Sequence, residues 1–238
     1  AMDDATTGLD WRDGVPVSRR FQDPYFSLAG GLEETDFVFL AGNGLPGRFR
    51  DGFCIGELGF GTGLNLLATW AAWRQAGAPG RLDFVSFEAY PMAPQDRARA
   101  LAVWPALTPA VNALNAVLAD GGQQPGDPAT LPAPLALGDG VHLTLILGDV
   151  RDTLPRWQGR VDAWYLDGFA PARNPQMWED ALLARVADCM APGGTLATYT
   201  AAGVVRRALA AAGLEVARAQ GYGRKRHMTT ARKPAESP

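Results

Sequence analysis

From Phe53 onward, short apolar runs alternate with helical stretches, and this alternation constrains the fold more than any other feature of the chain. Phe53–Leu58, Leu82–Glu88, Val161–Leu166 and Thr195–Tyr199 read as strands. Leu64–Gln75, Ala93–Trp104, Ala110–Leu118, Met177–Met190 and Val204–Ala212 read as helices. Parallel strands joined by right-handed helical crossovers are the economical solution, so a doubly wound α/β sheet covered on both faces is expected. Gly138-Asp139-Gly140 between Leu135–Leu137 and Val141–Leu147 signals a β-hairpin, and Leu214–Ala219 with His227–Ala231 an antiparallel pair at the C-terminal edge. The first fifty residues read differently, as a loop, a small strand pair and a turn at Gly42-Asn43-Gly44. They form an N-terminal extension (1–50) expected to pack on the ligand site of the main domain (51–233). Gly121–Pro134 is too polar and broken for a core element.

A ligand of such a sheet sits beyond the carboxyl ends of the strands, where the strand order reverses. The first strand-to-helix turn is Glu57-Leu58-Gly59-Phe60-Gly61-Thr62-Gly63-Leu64-Asn65. A dinucleotide fingerprint would place its third glycine at position 64, which is Leu64. The G-x-G-x-G spacing, with Glu57 two residues before the first glycine, suits S-adenosylmethionine, whose ammonium benefits from a nearby carboxylate. Glu88 at the end of the second strand can accept hydrogen bonds from a ribose diol, and Asp149 after Gly148 can meet an adenine amino group. Single signals of this kind are weak. Three in order at consecutive strand ends point to a nucleotide-like cofactor held by Glu57, Gly59, Phe60, Gly61, Thr62, Gly63, Asn65, Glu88 and Asp149.

The next strand ends in Leu166-Asp167-Gly168-Phe169-Ala170-Pro171, followed by Asn174-Pro175-Gln176-Met177-Trp178. A strand-terminal acid and a Pro-bounded loop place Asp167, Phe169, Pro171 and Asn174 beside the cofactor. If the acceptor is an amine, Asp167 could bind the ammonium, accept its proton, or orient the free base. Phe169, Trp178 and Tyr25 would desolvate it.

These strings, with Tyr25-Phe26-Ser27, Gly31-Leu32-Glu33-Glu34, Val38-Phe39-Leu40 and Gly221-Tyr222-Gly223-Arg224-Lys225-Arg226, resemble the MnmC-type tRNA methyltransferase family. The likeness runs from about residue 20 to residue 231 and rests most on Asp-Gly-Phe-Ala-Pro. It implies a Rossmann-like S-adenosylmethionine methyltransferase sheet. It also implies N-methylation of 5-aminomethyl-(2-thio)uridine at the tRNA wobble position, with Asp167, Phe169 and Tyr25 catalytic. With 238 residues the chain is similar either to the stand-alone form, without the FAD-dependent oxidoreductase domain, which could then be a separate partner, or to an excised domain of the fused form. A small-molecule N- or O-methyltransferase on the same fold is the alternative.

The formal net charge is −3, yet residues 206–233 carry eight basic side chains against one acid, Glu215, so the rest of the chain is −10. Arg224, Lys225 and Arg226 are therefore candidates for contact with the anticodon arm, alongside Pro171, Asn174 and Trp178 around the base. The two cysteines, Cys54 and Cys189, read as free thiols and no metal-ligand cluster stands out. The acidic start Ala1-Met2-Asp3-Asp4 lacks a signal-peptide core, and no stretch approaches ~18 apolar residues. A cytoplasmic protein is expected.

Overall fold

The computed structural model describes residues 8–26, 30–121, 131–168 and 170–236. Three short strands, β1 (Leu9–Arg12), β2 (Val15–Ser18) and β3 (Asp23–Pro24), form an antiparallel sheet of their own. A helical run follows: α1 (Gly31–Thr35), a π-helical turn (Asp36–Leu40) and a 3-10 turn (Ala41–Asn43). The Phe37–Leu40 segment is thus helical and not part of a strand pair. Gly31, Thr35, Val38 and Phe39 are buried at helical spacing while Phe37 is exposed, and that facing outweighs the β-propensity of an aromatic and β-branched run. Asn43 fastens the end of this run to the main sheet, donating to the Phe39 carbonyl at 2.9 Å and the Trp164 carbonyl at 3.3 Å.

The chain continues with β4 (Phe53–Leu58), α2 (Leu64–Gln75), β5 (Leu82–Glu88), α3 (Pro94–Leu101), α4 (Thr108–Asp120), β6 (Leu135–Gly138), β7 (Val141–Leu147), α5 (Val150–Thr153) and β8 (Val161–Leu166). It closes with α6 (Asp180–Asp188), β9 (Met190–Thr198), α7 (Gly203–Ala211), β10 (Glu215–Gln220) and β11 (His227–Arg232). The strands form one eight-stranded sheet, β10-β11-β9-β8-β4-β5-β7-β6. The five central strands are parallel, and β6, β10 and β11 join antiparallel at the two ends. The order reverses between β4, which pairs β5 on one side, and β8 on its other.

The central strands read as nearly continuous apolar runs because alternate residues feed two separate cores. Phe53, Ile55, Phe84, Ala163 and Tyr165 face a cluster shared with α2, α4 and the helical run, so Val38, Phe39, Leu40 and Leu45 belong to that core as well. Leu58, Val85, Phe87, Trp164 and Leu166 face the core under α6 and α7. The largest fully buried side chain of the second core is Trp164, whose indole N–H donates to the Val186 carbonyl at 3.0 Å.

The Met177–Met190 helix is interrupted. Pro175–Trp178 forms a 3-10 turn, Glu179 is extended at ψ 146°, and the helix proper begins at Asp180; β9 then starts as early as Met190. Both cysteines are free, and burial pushes the Cys54 thiol up to about 12.

Candidate functional site

The ends of four parallel strands, β8, β4, β5 and β7, are laced together by backbone hydrogen bonds. Asp167 N–H donates to the Leu58 carbonyl at 3.1 Å, Gly59 N–H to Phe87 at 2.9 Å, and Gly148 N–H to Glu88 at 2.9 Å. At this switch point the glycine turn must run against the next loop with no side chain between. Gly59 has φ +88°, and a Cβ there would lie 2.7 Å from the Gly168 nitrogen. Above the strand ends opens a pocket lined by residues from distant segments, including Phe21, Tyr25 and Phe26 before β4 and Tyr199 after β9.

Its chemistry is one-sided. Glu34, Glu88, Asp149 and Asp167 are on the wall, with eight aromatic side chains (Phe21, Tyr25, Phe26, Phe39, Phe60, Phe87, Tyr90, Tyr199) and no Lys, Arg or His among the described lining residues. Glu88 secures the glycine turn: Oε1 accepts from Gly61 N–H at 2.8 Å and Oε2 from Ala89 N–H at 3.0 Å. Burial raises its proton affinity against these hydrogen bonds. Arg97 fixes the other side of the turn. Fully buried in α3, it donates from Nε to the Thr62 carbonyl at 3.0 Å and from a terminal nitrogen to Asn115 Oδ1 at 2.9 Å, with its guanidinium 5.6 Å from the Phe60 ring centre. Burial lowers its pKa to about 10.

Asn65, on the first turn of α2, joins the deeper acids. Its Nδ2 donates to Asp167 Oδ2 at 2.7 Å and to Glu57 Oε2 at 2.9 Å, while Oδ1 accepts from the Thr35 hydroxyl at 3.0 Å. Asp167 carries a carboxyl pushed up to about 7, first by burial and then by the charge of Glu34, against hydrogen bonds from Asn65 and the Gly168 backbone. The loop after it is held at two points: Ala170 N–H donates to Asp23 Oδ2 at 3.0 Å, and the Tyr199 hydroxyl to the Gly168 carbonyl at 3.0 Å.

Of the sequence candidates, Tyr25, Gly59, Phe60, Gly61, Thr62, Asn65, Glu88, Asp149, Asp167 and Asn174 line this one pocket. Glu57 does not. It is fully buried behind Asn65, with Oε1 accepting from Ser86 Oγ at 2.6 Å, so it reaches the pocket only through the Asn65 amide. Gly63, at φ +87°, begins α2 against Phe60 and Leu114 and does not line the pocket. Trp178 packs into the core beneath α6, because the 3-10 turn directs it inward. Pro171 lies outside the lining on a turn, as do Arg224, Lys225 and Arg226 on the loop between β10 and β11. Phe169 lies outside the described residues. Asp149 caps α5 and is paired with Arg151 at 2.6 Å, which lowers its pKa. Tyr90, Tyr199, Arg97 and Ser86 escape a motif reading, since none stands at a recognisable spacing from the glycine turn; Glu34 stands in the Gly31-Leu32-Glu33-Glu34 string, but nothing in that string marks it as a pocket residue.

The buried Glu57 makes a pH prediction. Burial, with the charges of Asp167 and Glu88, raises its pKa well above the ordinary carboxyl value, so the folded state binds a proton that the unfolded chain releases above pH ~4.5. Its contribution to stability is therefore fully present at acid pH and is lost with rising pH at up to about 1.4 kcal/mol per pH unit. Glu57→Gln keeps acceptor and donor for Asn65 and Ser86 but has no proton to release. Urea unfolding at pH 5, 6 and 7 should show a shallower decline for this variant than for wild type; parallel declines would mean that Glu57 is ionised in the folded protein.

Residues 131–234 match the family described as S-adenosyl-L-methionine-dependent methyltransferase. The chain is 48% identical over 230 residues to the tRNA 5-methylaminomethyl-2-thiouridine biosynthesis bifunctional protein MnmC of Chromobacterium violaceum, covering 93% of this chain and 34% of that protein. It is 47% identical over 238 residues to the MnmC of Caulobacter vibrioides, with 98% and 39% coverage. The chain thus spans between a third and two fifths of the length of these relatives. Among solved structures, MNMC2 from Aquifex aeolicus superposes with a TM-score of 0.69 at 23% identity, covering 100% of this chain and 73% of that one. Spermidine synthase from Thermotoga maritima does so at 0.52 and 9% identity, covering 96% and 73%. Both are likenesses of fold.

Proposed function

We propose that this chain, which is 47–48% identical to MnmC proteins over nearly its whole length and matches an S-adenosyl-L-methionine-dependent methyltransferase family over residues 131–234, is a methyltransferase of the MnmC type and methylates the primary amine of 5-aminomethyl-(2-thio)uridine at the tRNA wobble position. The observation that carries the reading is the pocket wall of four carboxylates and eight aromatic rings, with no basic residue among the described lining residues. Such a wall repels a pyrophosphate and favours ligands that bring positive charge, as a sulfonium donor and an amine acceptor both do.

The residues present fit the donor. Glu88, half-buried at a strand end, has lone pairs to offer a diol; the glycine turn presents backbone without side chains; and Phe60 and Tyr90 supply apolar walls. S-adenosyl-L-methionine, when bound, supplies an electrophilic methyl group. The protein's part is positioning and proton handling. Asp167, with a carboxyl near pH 7, accepts the proton that an ammonium must lose before its nitrogen has a lone pair, and Asn65 keeps that carboxylate oriented. Tyr25 and its aromatic neighbours exclude water. In this reading residues 1–50 cover the donor and residues 51–233 provide the catalytic body. Arg224 and Arg226, exposed on the loop beside the pocket, attract the anticodon arm, so tRNA affinity falls steeply with salt. The aminomethyl substrate must come from another activity, for which an FAD-dependent oxidoreductase is the partner we propose. No helix among the described residues is long and apolar enough to cross a membrane. A tRNA substrate makes the cytoplasm the compartment we propose.

The deciding experiment supplies methyl-labelled S-adenosyl-L-methionine, the purified protein and tRNA bearing 5-aminomethyluridine. Mass spectrometry of the wobble nucleoside should show one added methyl on the aminomethyl nitrogen. Label in a metabolite extract and none in tRNA would replace this reading with the small-molecule one.

A further inference from the structure

Lys225 Nζ lies 2.9 Å from Glu34 Oε1 and 4.6 Å from the centre of the Tyr199 ring. Both partners line the pocket, whereas Lys225 reaches them from the loop between β10 and β11. A primary ammonium seated between a carboxylate and an aromatic face is the arrangement by which proteins bind alkylammonium ligands. Here the protein satisfies the arrangement with its own side chain.

The pair is built to exchange. The Lys225 side chain is 51% exposed and Glu34 only 17%, so the carboxylate belongs to the pocket and the cation to the surface. Exposed ion pairs of this kind hold weakly. The acid also stands close to the proposed proton acceptor: the Tyr199 hydroxyl bonds to the Gly168 carbonyl, the residue after Asp167, and Glu34 and Lys225 both act on the Asp167 carboxyl, in opposite directions. With Arg224 and Arg226 as its sequence neighbours, Lys225 lies where an RNA phosphate would compete for it.

We propose that Glu34 and the face of Tyr199 form the binding subsite for the acceptor's ammonium group, that Lys225 fills this subsite in the free protein, and that an RNA phosphate drawing Lys225 away opens it. The identification of the ammonium as that of an aminomethyl nucleotide rests on the function proposed above; the cation subsite itself does not. Once the substrate ammonium occupies the place of Lys225, one N–H bond breaks and one O–H bond forms at Asp167. This leaves a neutral amine with its lone pair and a neutral carboxyl, and no other reactant is required. Withdrawal of Lys225 favours the same transfer, since its charge is one of the influences lowering the proton affinity of Asp167.

The test uses the full chain without methyl donor, titrated with benzylammonium and, as neutral control, benzyl alcohol, and followed by NMR. Lys225→Met should bind benzylammonium about 10-fold more tightly than wild type and Glu34→Gln about 10-fold more weakly, the size of one charge-assisted hydrogen bond. The double variant should follow Glu34→Gln, and benzyl alcohol should bind all forms alike. Lys225→Gln repeats the first arm should the Met variant misfold. An ion pair that merely fastens the loop would make the two single variants change in the same direction; that result, or no ammonium-dependent binding in any form, overturns the proposal. In turnover, Lys225→Met should lower KM for the free 5-aminomethyluridine nucleoside and raise KM for tRNA, a split that a structural role does not produce. If wild type transfers no methyl to tRNA, the function proposed above fails while the benzylammonium series still decides the subsite.

Discussion

Replacing Asp167 with asparagine is expected to lower kcat by about 10²- to 10⁴-fold, the usual weight of a positioned proton acceptor, while donor affinity measured by calorimetry stays within a few-fold of wild type. The substitution isolates the proton. An asparagine oxygen can accept the Asn65 N–H as Asp167 Oδ2 does at 2.7 Å, and the backbone bond to Leu58 is untouched, so the strand ends keep their lacing. Wild-type kcat/KM should rise with pH and level off above about 7, because only the ionised carboxylate can take the ammonium's proton and its pKa is raised to about 7. The variant should lack this rise. Its stability should hold or improve at pH 8, since a carboxyl with a raised pKa weakens the folded state progressively as pH climbs from the unfolded value near ~4 toward 7. Turnover near the wild-type rate would remove Asp167 from the reaction.

The second large effect is steric. Gly59→Ala places a methyl group 2.7 Å from the Gly168 nitrogen and 2.8 Å from its Cα, on a backbone at φ +88°. Left-handed backbone costs a non-glycine residue about 1–2 kcal/mol, and overpacking against an element that cannot move adds about 1–3 kcal/mol. A loss of about 2–5 kcal/mol is therefore expected, a large share of an ordinary domain's ~5–15 kcal/mol, and donor binding should disappear with it. Gly61→Ala is the control. Its Cβ meets the Tyr25 ring at 3.1 Å, an aromatic side chain that can give way, so it should cost about 1–2 kcal/mol for the left-handed backbone at φ +55° alone. Equal urea midpoints for the two variants would show that the β4 and β8 turns are not in the close approach described.

The strands β4, β5 and β8 were legible to the residue because their apolar runs are bounded by glycine, proline and acids, and because strands buried on both faces leave little freedom in where they stop. The acids Glu88, Asp149 and Asp167 were legible as strand-end residues, since topology puts all such positions on one edge of the sheet. Trp178 was misplaced for the opposite reason. A loop aromatic near a motif looks the same in sequence whether it faces a ligand or a core, and the 3-10 turn decides. Arg97 shows the same limit. An arginine in a polar helix reads as a solvated face, yet this one is fully buried and braces the glycine turn through the Thr62 carbonyl.

By itself, the sequence determined the parallel sheet, the switch point and the acids at the strand ends, because periodicity and turn chemistry are local properties that a chain cannot conceal. Tertiary structure alone decided which acid faces the pocket and which lies behind it, that Asn65 joins Glu57 to Asp167, and that Glu34 and Lys225, 191 residues apart, meet over Tyr199. Those outcomes depend on burial and on pairs brought together from distant segments, and a pKa or an ion pair arises only once the chain has closed around it.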